Sequence, residues 1–125
     1  MILDTNGLSA LAEGEPALAS ILGQATQIAV PVIVLGEYRY GISQSRYRKQ
    51  YERWLSEYLP VFRILDIDER TTLSYSGVRA ELKKSGTPIP SNDVWIAALC
   101  RQHSLSLISR DRHFDYVVGI QRLEW

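Results

Sequence analysis

Hydrophobic and polar positions follow one another along this chain in blocks, each with its own period. Met1 to Leu3 is a short apolar run, the length of a buried strand stub. Behind it the apolar residues space out at three and four, as on one face of a helix, over Leu8 to Ala12 and Pro16 to Leu22, with Gly14 and Gly23 as punctuation. Gln27 to Val30 reads as a second strand, left through Pro31 into a helix from Ile33 to Gln44. Arg46 to Tyr58 is a further helix, stopped by Pro60, and Phe62 to Ile67 is a third strand. Asp68 heads a long helix to Lys84 that Ser85 and Gly86 end. A loop from Pro88 to Ser91, a helix from Asn92 to Gln102 and strands at Leu105 to Ser109 and Ile120 to Glu124 complete the order.

Strands separated by helices demand parallel crossovers, so the pattern predicts an α/β fold: a three-layer sandwich in which helices cover both faces of the sheet. In such sheets ligands gather beyond the carboxyl ends of the strands, where the winding direction reverses. Asp4 follows the first strand and Asp111 the fourth, and both reach that crevice if the two strands are neighbours.

Composition narrows the classes. At 125 residues, 46% of them hydrophobic and 22% charged, the chain reads as one globular domain over residues 1–125. No run approaches the roughly 20 apolar residues of a membrane span, and the first residues lack the basic region and apolar run of a signal peptide. A cytoplasmic location without membrane contact is the expectation. The single cysteine, Cys100, lies in an apolar helical run and reads as a small buried hydrophobe.

Formal net charge is zero, which argues against binding polyanions by bulk charge. The distribution is uneven, however. Arg39, Arg46, Arg48, Lys49 and Arg53 face only Glu52 and are interleaved with Tyr40, Tyr47, Tyr51 and Trp54. Basic groups for phosphates beside rings for bases suit single-stranded nucleic acid, with Arg46, Arg48 and Lys49 as the contacts; the competing reading is a solvated helix face with its aromatics turned inward.

Four carboxylates stand in awkward places. Asp4 follows two large apolar residues, either as a helix cap or as a functional group. Glu37 has Ile33, Val34, Tyr40 and Gly41 as its helical neighbours, which puts it on the apolar stripe. Asp93 heads an inward stripe with Ile96, Ala97 and Cys100, although a helix start is also ordinary capping territory. Asp111 alternatively begins a turn. Two carboxylates about 5 Å apart at an effective dielectric near 20 repel by about 3 kcal/mol, so a cluster needs protons or a cation. Carboxylate oxygens favour magnesium, or manganese in its place, over zinc, and such an ion acidifies its bound water.

The order "LDTN" with Asp4, "VLGEYRYG" with Glu37, "NDVWIAA" with Asp93 and "LISRDRHF" with Asp111, closing on "GIQRLEW", resembles the PIN domain family, specifically the VapC-type toxin ribonucleases of type II toxin–antitoxin pairs. The resemblance runs from the first residues to the last. It implies a parallel five-stranded sheet in the order 3-2-1-4-5, a magnesium-dependent endoribonuclease acting on RNA, and a homodimer neutralised by a VapB-like antitoxin. The family's four acids fall on Asp4, Glu37, Asp93 and Asp111, as catalytic residues and metal ligands, and its small polar residue after the first acid falls on Thr5, whose hydroxyl would orient Asp4 or meet a metal-bound water. Two places beyond the fourth acid, where members often carry an acid or amide, this chain has His113, a departure that bears on a second metal. The helices Pro16 to Leu22 and Arg46 to Tyr58 are the expected docking faces for the antitoxin.

Three rivals share part of this pattern. An aspartyl phosphatase of the haloacid dehalogenase type would need a second acid where Asn6 stands. A histidine-dependent ribonuclease would need two imidazoles, and His103 follows a helix, where a positive charge is favourable for other reasons. A catalytically inactive RNA- or protein-binding module on the same fold would have no use for all four acids.

Overall fold

The computed structural model describes residues 1–125, and its centre is the short strand β1 (Ile2–Leu3), whose two side chains are fully buried. Ile2 pairs in parallel with Ala29 of β2 (Ala29–Pro31) on one side; on the other, Ile2 and Leu3 pair with Leu107 and Ile108 of β4 (Leu107–Ile108). β3 (Arg63–Leu65) adds outside β2 and β5 (Arg122–Leu123) outside β4, which gives a five-stranded parallel sheet in the order 3-2-1-4-5. β1 and β4 are therefore neighbours, as the placement of Asp4 and Asp111 requires. Helices α1 (Thr5–Ala12), α2 (Pro16–Leu22), α3 (Val32–Ser43), α4 (Arg48–Tyr58), α5 (Glu69–Ser85) and α6 (Ser91–His103) carry the crossovers, and the sheet is the middle layer of a three-layer sandwich.

The strands are shorter than the apolar runs suggest, because residues at their ends are claimed by other contacts. Phe62 closes a 3₁₀ turn (Leu59–Val61) and packs its ring 6.4 Å from Trp54, so β3 starts one residue later. Ser109, just past β4, still donates its amide to the Leu123 carbonyl at 2.9 Å, while its hydroxyl bonds a side chain across the sheet edge.

Helix starts also differ from expectation. α1 begins at Thr5, not Leu8, because Asp4 is extended and its Oδ1 accepts the Gly7 amide at 2.7 Å. Thr5 to Gly7, ahead of the expected start, form its first turn. α4 begins at Arg48, since the Ser45 hydroxyl and carbonyl hold Tyr47 and Arg48 in a turn. α6 begins at Ser91 with Pro90 at the capping position and no side-chain cap, so neither Asn92 nor Asp93 caps it. α5 opens on a reciprocal capping box between Asp68 and Thr71 and ends on Gly86 in the left-handed region. Gln102 at the end of α6 accepts from the buried Thr71 hydroxyl at 2.6 Å and donates to Asp68 at 3.1 Å, tying the two helices together.

The core is the apolar contact of the sheet with these helices, including Leu8, Leu18, Val34, Leu55, Val78, Ile96, Leu99 and Phe114. α2 turns Leu18 and Leu22 inward and leaves Ala17, Ala19 and Ser20 outside, so its surface is less apolar than its sequence suggests. Burial pushes the Cys100 thiol up to about 12, which makes it the inert core residue expected. No helix is long and apolar enough to cross a membrane.

Gly7 is the tightest point near the sheet's carboxyl edge. A Cβ there would meet Leu3 Cδ2 at 3.1 Å, Asp4 Oδ1 at 3.2 Å and the Ile108 carbonyl at 3.4 Å. Leu3 is buried and the Asp4 oxygen is bonded to the Gly7 amide itself, so neither retreats freely. Gly7→Ala is expected to destabilise the fold by about 1–3 kcal/mol, as overpacking does, against the small gain a helical alanine normally brings. Thermal or urea denaturation checks this; a gain in stability would mean that the α1 N-terminus is free to lift.

Candidate metal centre

Only three polar residues are buried, Asp4, Ser109 and Thr71, and two of them bond each other. Asp4 sits at the end of the central strand with 5% exposure. Its Oδ1 accepts the Gly7 amide at 2.7 Å and its Oδ2 accepts the Ser109 hydroxyl at 2.5 Å. Burial pushes the Asp4 carboxyl above its ordinary range, Ser109 and Gly7 pull it back, and the nearby Asp111 charge pushes it up again. Asp4 is thus a helix cap and a member of the acid group at once. Each of its oxygens keeps a free lone pair, so capping does not exclude a cation.

Ser109 extends this linkage. Its hydroxyl also accepts the Asp111 amide at 2.9 Å, so one side chain locks the end of β4 to the end of β1. Arg122 of β5 donates to the Ser109 carbonyl at 3.0 Å and pairs with Asp115. Asp111 itself opens a 3₁₀ turn (Arg112–Tyr116) by accepting the His113 amide at 2.9 Å, which satisfies the turn reading while leaving the carboxylate at the crevice.

Asp93 stands in the first turn of α6, its side chain 20% exposed, and caps nothing. Burial pushes its carboxyl up to about 6; the charges of Asp111 and Glu37 add to the rise, His113 opposes it, and Asp4 adds a little more. His113 Nδ1 lies 3.2 Å from Asp111 Oδ1 and 4.0 Å from Asp93 Oδ2. Asp93, Asp111 and His113 each present one ligand atom within 4.8 Å of the others. No lysine or arginine reaches Asp4, Asp93 or Asp111 within salt-bridge distance.

Glu37 corrects the sequence reading. The buried stripe of α3 is Val34, Tyr38 and Ile42, and Glu37 is exposed beside it, on the crevice rim. Its charge reaches Asp93, but it lies outside the close group. Thr5 is the first residue of α1, and the Asp4 carboxylate is held by Gly7 and Ser109 rather than by the Thr5 hydroxyl. Thr5 and Glu37 instead share a pocket with Tyr38, whose hydroxyl is pushed up to about 12 by burial, with Tyr51 and Glu13 adding to the rise.

Arg46, Arg48 and Lys49 are all exposed and line one open hollow at the α3–α4 turn. Arg46 lies over the Tyr47 ring at 4.9 Å, and Tyr47 is half exposed. Trp54 turns inward to Tyr38 and Phe62, so the two readings of this stretch divide between its ends. Ser109 is the site residue that sequence reasoning missed. The signal was a hydroxyl between two large apolar residues and an aspartate, at a strand end where a polar group needs a partner.

Carboxylates with one imidazole and no thiolate make a donor set for a hard divalent ion, and after burial it is the charge of neighbouring carboxylates that raises Asp93 further. The residues present fit such an ion.

Relatives match along nearly the whole chain. Ribonuclease VapC2 of Haemophilus influenzae is 29% identical over 127 residues, covering 99% of this chain and 96% of its own length. Ribonuclease VapC2 of Rickettsia felis is 31% identical over 106 residues, covering 84% and 79%. The crystal structure of VapBC2 from Rickettsia felis bound to a DNA fragment from its promoter superposes with a TM-score of 0.88 at 26% identity, over 99% of this chain and 97% of that one. The PIN domain model matches residues 1–120, and with the sheet order and the acids at its carboxyl edge this settles the assignment: the chain belongs to the PIN domain family.

Proposed function

We propose that residues 1–125 form one PIN domain acting as a metal-dependent endoribonuclease of the VapC type, the toxin of a pair whose VapB-like antitoxin neutralises it. The observation that carries this reading is the convergence of Asp4, Asp93 and Asp111 from three separate elements on one crevice, with Glu37 at its rim and only an imidazole among them. Relatives named as ribonucleases and a VapBC complex of the same fold support it.

Asp93, Asp111 and Asp4 are the residues to hold the ion, with Glu37 on the outer side. Magnesium suits the carboxylates, and the nitrogen of His113 widens the choice to manganese. When bound, the ion neutralises the acid group and supplies a more acidic water at neutral pH for attack on a phosphodiester. The chain's own work is positional. Gly7 and Ser109 fix Asp4, the Ser109 hydroxyl and the turn fix Asp111, and Asp93 stays free to adjust. Arg46, Arg48 and Lys49 would hold flanking phosphates of the RNA. Exposed Leu73, Tyr116 and Val118, at 75%, 52% and 76%, supply apolar surface for an antitoxin or for a second copy in a homodimer.

The proposal predicts cleavage that stops with chelator and leaves 5′-phosphate and 3′-hydroxyl ends. Asp4→Asn, Asp93→Asn and Asp111→Asn should each abolish it nearly as completely as the triple change. Product-end labelling decides; 2′,3′-cyclic phosphate ends or activity in chelator would refute the mechanism.

Asp93 gives a second test through stability. Its folded carboxyl titrates near 6, above the unfolded value of 3.8, so the folded chain holds more protons between those values and stability falls as pH rises across that window. Metal-free Asp93→Asn should melt several degrees higher than wild type at neutral pH, for a gain on the order of 2 kcal/mol, and the two should converge near pH 4. Calorimetry in chelator measures it; equal melting at neutral pH would show that neither burial nor the neighbouring acids raise the Asp93 carboxyl.

Replacing Arg46, Arg48 and Lys49 together by Gln should lower the slope of log affinity against log salt by about 2, taking about 0.7 per phosphate contact on a single strand. An unchanged slope would return these residues to the solvated face.

A further inference from the structure

Beside the acids lies a pocket of about 210 Å³ between α1, α3 and the start of α4, roomy enough for about seven waters at about 30 Å³ each. It shares Glu37 with the rim of the acid crevice and Ser45 with the basic turn, so a strand running from one to the other passes its mouth. Tyr38 forms part of its wall at 3% exposure. The Tyr38 hydroxyl is the one buried side-chain nitrogen or oxygen in the protein without a hydrogen-bond partner. Such groups are rare in folded proteins, because leaving one unpaired costs about 1–3 kcal/mol. Glu13, exposed and free of any ion pair, and Tyr51 lie near that hydroxyl in the same pocket.

We propose that this pocket receives an unpaired guanine of the RNA beside the cleaved bond, Glu13 accepting from the guanine N1–H and 2-amino groups and the Tyr38 hydroxyl donating to O6. The inference rests on the ribonuclease reading. Glu13 and Glu37 line the pocket and no basic side chain does, so a phosphate is repelled and an uncharged base is admitted. An ionised carboxylate only accepts hydrogen bonds and takes two donors side by side. Guanine alone among the four bases presents two adjacent N–H donors on its Watson–Crick edge, with an acceptor next to them for a hydroxyl. Tyr51 offers a ring on which a splayed base can stack. An arginine from a protein partner would satisfy the carboxylates, but it has no acceptor for the Tyr38 proton, and Arg46, Arg48 and Lys49 next door repel it.

Fluorescence anisotropy in chelator tests this with short labelled oligouridylates carrying one central guanosine, inosine or adenosine. Wild type is expected to bind the guanosine oligomer roughly 5- to 100-fold more tightly than the adenosine one, the range of a good bidentate base contact, with inosine, which lacks the 2-amino group, between them. Glu13→Gln and Tyr38→Phe should each narrow that ratio, and Tyr38→Phe should melt no lower than wild type because it removes an unpaired hydroxyl. Equal affinity for the three oligomers overturns the proposal. So does a Tyr38→Phe protein that melts much lower while its preference is unchanged, since the hydroxyl is then structural. If an arginine-containing peptide binds and its affinity alone falls in both variants, the pocket is a protein-docking site and the proposal fails. Cleavage of the same oligomers with magnesium is scored separately. Cleavage without guanine preference in binding removes the pocket and keeps the ribonuclease, whereas guanine preference without any cleavage removes the ribonuclease and keeps the pocket.

Discussion

Asp4 stands on the end of the central strand, where burial raises its carboxyl above the ordinary range, and the Ser109 hydroxyl and Gly7 amide oppose that rise and hold the side chain in place. Those two bonds do more than satisfy one side chain. The first ties β1 to the strand beside it, and the second sets where α1 begins. Because the Ser109 oxygen also receives the Asp111 amide, the position of one acid determines the backbone under another. The sheet's carboxyl edge is therefore built around the charge on a single residue, and neighbouring elements take their start points from it.

The acids divide into fixed and free members. Asp4 and Asp111 each accept backbone or hydroxyl hydrogen bonds, so their geometry is set before any ligand arrives. Asp93 has no such partner, and burial, with the charges of Asp111 and Glu37 added, raises its carboxyl. His113, half exposed, is the one group in the cluster that can bear positive charge, and it faces both Asp93 and Asp111. Fixed groups give an incoming ion a defined seat, and the free one allows the seat to adjust to its size.

Much of this was legible in the residues themselves. The alternation of apolar runs with helical spacing gives strands and crossovers, and the sheet order came with the PIN resemblance carried by "LDTN", "NDVWIAA" and "LISRDRHF". Asp4 was legible as a carboxylate against buried residues, Asp93 as the head of an inward stripe despite its place at a helix start, and Asp111 from its position just after the fourth strand. Glu37 was misjudged, since its neighbours Tyr40 and Gly41 count as apolar by type yet lie on the exposed side of α3. Helical spacing locates a stripe only to within one residue, and one residue is about 100° of rotation. The partner of Ser109 and the Tyr38 pocket were out of reach for a different reason, although a hydroxyl at a strand end did call for some partner. Their meaning is a contact between distant parts of the chain, and neither residue type is unusual in its own segment.

The parallel pairing of β1 with β4 has a consequence for how the protein comes into being. Asp4 and the serine that holds it are 105 residues apart, so β1 leaves the ribosome several seconds before its second partner, at about 5–20 residues per second. During that interval the central strand has an open edge and its aspartate lacks the hydroxyl donor. The acid group is consequently complete only once Asp111 has been made, far behind Asp4 in the order of synthesis. Chains cut short just before Asp111 carry Asp4 and Asp93 without the rest of the group, so a cell making this protein is not exposed to the finished crevice until that residue has followed β4 out.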